Sequence, residues 1–370
     1  MASLEQAAQT SPLFRHRQLA PAAAVRVSPL CLGAMTFGGR QESRYGDSKE
    51  VTSSTQPVPT KRDNRRSWSA NGASRNNRDQ IVLATKYTAA YMTHHKDAIQ
   101  SNYGGNNAKS MKVSIEQSLR KLQTSYIDLL YVHWWDFTTS IPELMHALND
   151  LVVAGKVIYL GISDTPAWVV TKANQYARDH GLRPFAVYQG MWSAAMRDFE
   201  RDIISMAREE GMALCPYGVL NQGRFQTREG FEEREKHNPG RKFIPTSEHD
   251  KKVSAALEDI STAKGVKLLD VALAYVMQKS IYVFPIIGCR KIDHIKGSIA
   301  SLNVTLTDEE MEKVDAAYPF DFGFPHTFLS GSMFDHSTPR MAEKPGDVWL
   351  TKAMGKFDWV EQTKPIRPAS

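Results

Sequence analysis

The sequence is poor in cysteine and has no long hydrophobic run. Its 370 residues contain only Cys31, Cys215 and Cys289, which lie far apart without CxxC spacing. We therefore predict no disulfide framework and a reducing, cytoplasmic location. No apolar stretch approaches the roughly 20 residues of a membrane-spanning helix, and the segment up to Leu13 lacks the basic and apolar regions of a signal peptide. We predict no membrane partner.

Several binding motifs are also absent. The sequence contains no GxGxxG after its first predicted strand and no HExxH or P-loop pattern, so we predict neither a Rossmann domain nor a metal site. The net charge is +6, and one basic run covers residues 61–66. Because no aromatic-basic motif accompanies this run, it indicates a solvated loop and no nucleic-acid partner. A mildly basic protein also suits an anionic cofactor.

Short apolar runs recur along the chain and read as strands that are buried on both faces, as in a parallel sheet. These runs cover Leu30–Met35, Ile81–Thr85, Tyr126–His133, Val157–Ile162, Phe185–Tyr188, Ala213–Pro216 and Val283–Ile287, with a further short strand predicted at Val25–Val27.

Amphipathic helices separate the runs. Apolar residues recur with helical spacing from Ile115 and from Ile141, and Thr307 with Glu310 forms a capping-box pattern. Alternating strands and helices predict right-handed βαβ units, in a barrel or a doubly wound sheet. We expect a barrel domain over residues 1–318 and an irregular, aromatic-rich extension over residues 319–370.

About seven strands are predicted where a closed (β/α)8 TIM barrel needs eight. The first helix and the second strand are missing or replaced by residues 40–76. This segment is rich in Ser, Thr, Asn, Arg and Pro, and its apolar residues follow neither the helical nor the strand periodicity. A real deletion, a frame change and incorrect splicing would each produce this pattern.

Two strand ends carry residues suited to proton chemistry. Lys86 follows one buried run, and His133 closes the next. Because barrel enzymes place their chemistry at the carboxyl ends of strands, we expect the two side chains to share one pocket. There Lys86 would hold positive charge and His133 would donate a hydrogen bond to a carbonyl oxygen.

Six motifs, "LCLGAMTFG", "IVLATKY", "YIDLLYVHWWD", "GKVIYLGISD", "YQGMWS" and "FPIIGCRK", resemble the aldo-keto reductase family in order and spacing. The resemblance extends to its fungal aryl-alcohol dehydrogenase-like branch, which includes norsolorinic acid reductases. It implies a (β/α)8 barrel and an Asp–Tyr–Lys–His tetrad, in which Lys86 and His133 match the lysine and histidine. The family's Asp and Tyr motif is not found, and Tyr45 is the one tyrosine of that region and our candidate for the general acid.

The resemblance also implies an NADP cofactor and a substrate contact at His133 and Trp134. Ser163, Asp164 and Gln189 match the positions that bind the nicotinamide carboxamide, and Trp192 matches the aromatic residue that stacks on the ring. The remaining cofactor positions form a pyrophosphate strap and a site for the 2′-phosphate. They are Tyr217, Gly218, Val219, Leu220, Asn221, Gln222, Gly223, Arg224 and Phe225 in the strap, and Gly288, Arg290, Lys291, His294 and Ser298 in the 2′-phosphate site.

Two functional hypotheses follow. The first is an NADP(H)-dependent oxidoreductase that reduces an aromatic aldehyde or ketone, such as a polyketide resembling norsolorinic acid in aflatoxin-type mycotoxin biosynthesis. The second is a catalytically silent barrel that binds the cofactor but lacks the Asp and Tyr of the tetrad. The sequence predicts a small aromatic carbonyl or alcohol as partner and leaves the oligomeric state open.

Overall fold

The structure is a computed structural model that describes residues 11–34, 77–93, 97, 99–237, 245–289, 291–352, 354–355 and 358–368. The strands are β1 Arg17–Ala20, β2 Ala23–Val27, β3 Cys31–Leu32, β4 Ala84–Tyr87, β5 Ile127–Val132, β6 Val157–Ser163, β7 Phe185–Gln189, β8 Ala213–Leu214 and β9 Ile286–Ile287. The helices are α1 Ala108–Leu122, α2 Ile141–Val153, α3 Ala167–Asp179, α4 Ile203–Glu209, α5 Arg228–His237, α6 Glu248–Lys264, α7 Leu268–Lys279, α8 Ile292–Ala300, α9 Asp308–Ala317, α10 His326–Leu329, α11 Ser332–Asp335 and α12 Trp349–Lys352.

A five-stranded parallel sheet forms the centre of the fold, in the order β4-β5-β6-β7-β8. A second parallel pair, β3-β9, continues it, because Leu214 of β8 bridges Val283 just before β9. The Ile286 N–H also donates to the Pro216 carbonyl at 2.8 Å. Seven parallel strands thus follow one another laterally, and the βαβ interpretation of the sequence is confirmed for this sheet.

The barrel prediction is met only in part. The described residues do not pair β3 with β4, which are the two ends of the strand series. The predicted gap at residues 40–76 lies outside the described residues. The pairings therefore show an α/β fold with an open series of parallel strands, and they do not establish closure.

The two faces of the sheet are both buried, which explains the uninterrupted apolar runs. On one face, Leu130, Val132, Leu160 and Ile162 pack with the helices. On the other face, side chains from several strands meet the N-terminal hairpin β1–β2. This inner group includes Leu19, Ala20, Ala23, Leu129, Tyr131, Val187, Ala213, Cys215 and Phe284. The hairpin contacts the loop before β8, where Ala22 N–H donates to the Gly211 carbonyl, so it covers the amino ends of the strands.

Local sequence signals fix several helices. The first turn of α1 is capped by Asn107, whose side chain accepts a hydrogen bond from Ser110 N–H, and its buried face includes Ile115. The predicted capping box of α9 is confirmed, with reciprocal hydrogen bonds between Thr307 and Glu310. One strand lies later than predicted: β4 begins at Ala84, because Ile81 and Val82 are exposed and lie outside the ladder.

The C-terminal extension packs against the rest of the chain. Phe320 lies over the guanidinium of Arg201, which donates to the Asp321 carbonyl at 2.8 Å. Further along, Arg367 forms an ion pair with Asp308 at the start of α9. Throughout the portion that the structure describes, no helix is long and apolar enough to span a membrane.

Candidate active site

Lys86 and His133 lie at the carboxyl ends of adjacent parallel strands. Lys86 of β4 is in register with Tyr131 of β5, and Tyr87 is in register with Val132, the residue before His133. Neither side chain is fully buried. The sequence placed these two groups in one pocket, and the structure brings them close enough for the charge of Lys86 to act on His133.

The electrostatics of the pair follow from burial. Burial lowers the pKa of Lys86, although nearby Cys31 and Asp164 oppose this change. Burial, and then the charge of Lys86, lower the pKa of His133 to about 4. At neutral pH the imidazole of His133 is therefore uncharged, so it can donate a hydrogen bond without carrying positive charge.

Tyr131 and Gly161 lie against each other, next to Lys86. Lys86 Nζ lies 5.3 Å from the centre of the Tyr131 ring. A Cβ at Gly161, the partner of Tyr131 on β6, would lie 2.6 Å from that ring, so only glycine leaves room for it. Burial raises the pKa of Tyr131, and its hydroxyl lies close to Cys215 and to Gln189, a residue predicted to contact nicotinamide. Gln189 is itself buried.

The end of β6 offers an unsatisfied polar group. The Ser163 hydroxyl is buried and has no hydrogen-bond partner of acceptable geometry among the described residues. A buried hydroxyl without a partner is costly and is commonly satisfied by a ligand or water. An amide such as the nicotinamide carboxamide fits this position, so Ser163 is compatible with the role predicted for it.

Asp164 and Tyr217 meet beside this serine. The Tyr217 hydroxyl donates to the two carboxylate oxygens of Asp164, at 3.2 Å each. Burial raises the pKa of Asp164, while the hydrogen bond from Tyr217 and the charge of Lys86 oppose that rise. Burial and the Asp164 charge raise the pKa of Tyr217 well above its ordinary value. The phenol therefore stays protonated, and its half-buried ring lies at the strand ends.

Trp192 does not present a ring to this site. Its side chain is 0 % exposed, stacks on Phe199 with ring centres 5.5 Å apart, and donates from Nε1 to Glu200. The described structure therefore does not bring this ring to the site, and stacking of Trp192 on the nicotinamide stays a prediction. Tyr217 is the half-buried aromatic residue that lies beside Asp164.

The predicted strap is built from unusual backbone conformations. Gly218, Asn221, Gln222 and Gly223 all have positive φ angles. Val219 and Phe225 are buried in the core, and Leu220 packs against it. These side chains anchor the strap, so its contact surface toward a ligand is mainly backbone.

Arg224 and Asn221 are also anchors of the strap. Arg224 is buried and pairs with Asp250 of α6 at 3.3 Å, and Asn221 Nδ2 donates to the same carboxylate at 2.5 Å. Arg224 additionally donates to the Asn221 side chain. The guanidinium is therefore held by protein partners, although its buried Nε has no hydrogen-bond partner among the described residues. A phosphate contact from Arg224 stays a prediction.

The predicted 2′-phosphate residues gather at the beginning of α8. Gly288 follows β9, Lys291 precedes the helix and is exposed, and His294 lies in the first turn. The Ser298 hydroxyl donates to the His294 carbonyl at 3.0 Å. A helix amino end next to a lysine attracts anions. Arg290, like Tyr45, lies outside the described residues.

Aromatic side chains follow β4 and β5 next to His133. Trp134 is 40 % exposed and Phe137 is 71 % exposed, and the ring of Phe137 lies edge-on to Trp135. Tyr91 and Tyr103 form a similar edge-on pair in the loop after β4. These loops provide an apolar aromatic surface at the strand ends that carry Lys86 and His133.

Sequence reasoning missed a polar cluster made of Thr88 and Asn106, which are buried, and Asp136, which is partly buried. Asn106 Nδ2 donates to the Thr88 hydroxyl at 3.0 Å, and the Asn106 N–H donates to Asp136 at 2.7 Å. These residues are 18 and 30 positions apart, so no local motif marks them. The positive φ of Thr88 also has no signature in the sequence.

Comparison with known proteins places this geometry in a family. The sequence model of the Aldo/keto reductase family matches residues 65–319. The chain belongs to the aldo/keto reductase family. Members of this family generally use NAD(P)H, and the protein is an oxidoreductase enzyme.

Individual relatives are similar over nearly the whole chain. A protein named norsolorinic acid reductase B from Dothistroma septosporum is 60% identical over 380 residues, covering 99% of this chain and 97% of the relative. A norsolorinic acid reductase B from Aspergillus parasiticus is also 60% identical, over 373 residues that cover 96% of this chain and 98% of the relative. An aryl-alcohol dehydrogenase from Pestalotiopsis microspora is 44% identical over 377 residues, covering 97% and 94%. Similarity to proteins with these names does not support catalytic silence.

Proposed function

We propose that the chain is an NADP(H)-dependent reductase of an aromatic aldehyde or ketone. The observation that carries this proposal is the convergence of Lys86 and His133 at adjacent strand ends. The buried hydroxyl of Ser163 lies beside them and has no hydrogen-bond partner of normal geometry among the described residues. Family membership implies a (β/α)8 barrel. We propose that the seven parallel strands belong to that barrel.

The chain's own groups account for activation of a carbonyl. When bound, the dihydronicotinamide supplies hydride. Neutral His133 donates a hydrogen bond to the carbonyl oxygen, and Lys86 stabilises the negative charge that develops there. Burial lowers the pKa of Lys86, which makes it the described group best suited to release the proton that the oxygen takes up. Tyr45 stays a prediction for this role.

The cofactor would lie across the strand ends. Ser163 and Asp164 would bind the carboxamide, and the ring of Tyr217 would pack against the nicotinamide. The strap backbone would cover the pyrophosphate. Lys291, together with Arg290 and the amino end of α8, would bind the 2′-phosphate, which favours NADP over NAD on grounds of charge.

The substrate proposal rests on the aromatic loops and on the relatives. Trp134 and Phe137 offer exposed rings beside His133, which suits a flat aromatic molecule. Because two relatives that cover nearly the whole chain are named norsolorinic acid reductase B, we propose a polyketide such as norsolorinic acid, in a mycotoxin pathway of the aflatoxin type. The sequence has only three cysteines, far apart and without CxxC spacing, which supports a reducing, cytoplasmic setting.

The test is oxidation of NADPH by the purified full chain with a panel of aromatic aldehydes and with norsolorinic acid. Binding of NADPH is measured in parallel by quenching of tryptophan fluorescence. Turnover of an aromatic carbonyl supports the proposal. Binding without turnover by folded protein would favour the silent alternative, and absence of binding would reject both.

A further inference from the structure

A buried polar latch joins the loop after β4 to the loop after β5. We define the latch as Thr88, Asn106 and Asp136. Asn106 Nδ2 donates to the Thr88 hydroxyl at 3.0 Å and to the Trp134 carbonyl at 2.9 Å. The Asp136 N–H donates to Asn106 Oδ1 at 2.8 Å, and the Asn106 N–H donates to Asp136 Oδ2 at 2.7 Å. Both ends of the Asn106 amide are therefore used to hold the second loop.

The latch reaches His133 directly. The backbone N–H of His133 donates to the Thr88 hydroxyl at 3.2 Å, so this one oxygen accepts from both Asn106 and His133. Thr88 follows Lys86 by two residues and is the first residue after β4. The hydroxyl thus connects the strand that carries Lys86 to the backbone that carries the imidazole of His133.

Thr88 holds this place at a conformational cost. It is 0 % exposed and has a φ of 98°, in a region that β-branched residues rarely adopt. Such a conformation is unfavourable for a β-branched residue and persists only where the surrounding contacts hold it in place. Glycine would adopt the same φ without this cost but lacks the hydroxyl. The hydrogen bonds that the hydroxyl accepts give a physical reason for threonine here.

Asp136 completes the latch as a charged acceptor. Partial burial would raise its pKa, but hydrogen bonds from the backbone N–H groups of Asn106, Thr138 and Thr139 outweigh burial and lower the pKa. Gly105 lies against this carboxylate with a φ of +82°, and a Cβ there would be 3.1 Å from Asp136 Oδ2. The loop is therefore shaped around the carboxylate.

We propose that Thr88, Asn106 and Asp136 are positioning residues, which hold His133 against the substrate carbonyl and fix Trp134 beside it. The inference rests on the proposed reductase function. The latch acts through His133 and Trp134, so it affects transition-state geometry and substrate fit. The hydrogen bonds of the latch reach none of the described residues that are proposed to bind NADP, so we expect binding of NADPH to be independent of it.

The first test compares Thr88→Val with Thr88→Ser. Valine keeps the shape of threonine but removes the hydroxyl, whereas serine keeps the hydroxyl. We expect Thr88→Val to lower kcat/KM for an aromatic aldehyde by about 100-fold, because small misplacements of a catalytic group have effects of that size. Thr88→Ser restores most of the activity, and the Kd for NADPH is unchanged in both. Equal activity of the two variants would overturn the proposal.

The second test uses the pH dependence of Asn106→Asp. At neutral pH the introduced carboxylate cannot donate to the Trp134 carbonyl and places a second negative charge beside Asp136, so kcat/KM falls. Lowering the pH protonates the new carboxyl and restores one donor, so the deficit relative to wild type shrinks. Asn106→Ala shows the deficit at every pH. A constant deficit for Asn106→Asp would contradict the proposed role.

Asn174→Asp is the matched control. Asn174 is also fully buried, and it bonds both backbone groups of Phe185 at the amino end of β7, away from His133. We expect it to lower thermal stability while kcat/KM per folded molecule stays at the wild-type level. Equal losses of kcat/KM for Asn174→Asp and Asn106→Asp would show that the latch is structural only.

The two proposals fail separately. Absence of turnover in wild-type protein would reject the reductase function. The latch is then judged by NMR titration of His133, whose pKa of about 4 should move toward 6.5 in Thr88→Val but not in Thr88→Ser. An unchanged titration of His133 in Thr88→Val would reject the latch, with or without turnover.

Discussion

Lys86 and Tyr131 face each other across the paired strands β4 and β5, with Lys86 Nζ 5.3 Å from the centre of the Tyr131 ring. A cation over an aromatic face is stabilised by the ring, most strongly where water is excluded. The ring in turn is held over Gly161, where no side chain fits. The position of the lysine is therefore set by the sheet itself, and this makes it a rigid source of positive charge.

Replacement of Lys86 should identify the proton donor. We expect Lys86→Met to lower kcat by about 100- to 10,000-fold, the usual effect of losing a general acid. We expect Tyr45→Phe to retain activity close to that of wild type. Steady-state kinetics with an aromatic aldehyde measures both. The reverse ranking would assign the proton to Tyr45, whose segment the described structure does not include.

Protonation of His133 should destabilise the protein in acid. Its pKa is about 4 when folded and 6.5 when unfolded, because burial and Lys86 disfavour the charged form. As the pH falls from 6.5 toward 4, the unfolded chain binds a proton that the folded chain does not, so stability is lost across this window. The melting temperature should therefore fall more steeply with decreasing pH in the wild type than in His133→Gln between these pH values. Parallel curves would argue that His133 is not desolvated.

The sequence predicted most of the framework because local signals determine it. The apolar periods of α1 and α2 and the capping box at Thr307 each correspond to an observed helix. The strand predicted at Ile81–Thr85 lies later, because apolar residues at a strand's beginning can stay exposed without changing the pattern. Lys86 and His133 were predictable because parallel strands end at the same edge.

The remaining parts of the site depend on contacts that no local pattern encodes. Trp192 looked like a stacking residue, but its environment, set by Phe199 and Glu200, buries it. Arg224 lies in the segment predicted to form the strap, and its ion pair with Asp250 of a later helix has no local signal in the sequence. Side-chain identity alone does not show which partner is nearby, so these roles required the structure.

Substituting Tyr217 and Trp192 one at a time should show which ring stacks on the cofactor and which only packs in the core. We expect Tyr217→Ala to raise the Kd for NADPH about 10-fold or more, since stacking on an aromatic ring contributes about 1–3 kcal/mol. Tyr217→Phe keeps the ring and the affinity. Trp192→Phe should leave the Kd unchanged and destabilise folding by about 1–3 kcal/mol, because it leaves a cavity. Fluorescence quenching and thermal unfolding measure these effects. Loss of NADPH affinity in Trp192→Phe alone would instead support the predicted stacking of Trp192 on the nicotinamide.

Lys291 should determine the preference for NADP over NAD. It is exposed just before α8, where the helix amino end already favours an anion. We expect Lys291→Ala to raise the Kd for NADPH about 10-fold, because a hydrogen bond to a charged group contributes about 1.5–3 kcal/mol, and to leave the Kd for NADH unchanged. Lys296→Ala is the control, since that lysine lies on the same helix and pairs with Asp293 at 3.7 Å. The difference between the two variants should shrink at high salt, which screens exposed charges. If Lys291→Ala weakened NADPH and NADH equally, the 2′-phosphate would have to be bound elsewhere on the chain.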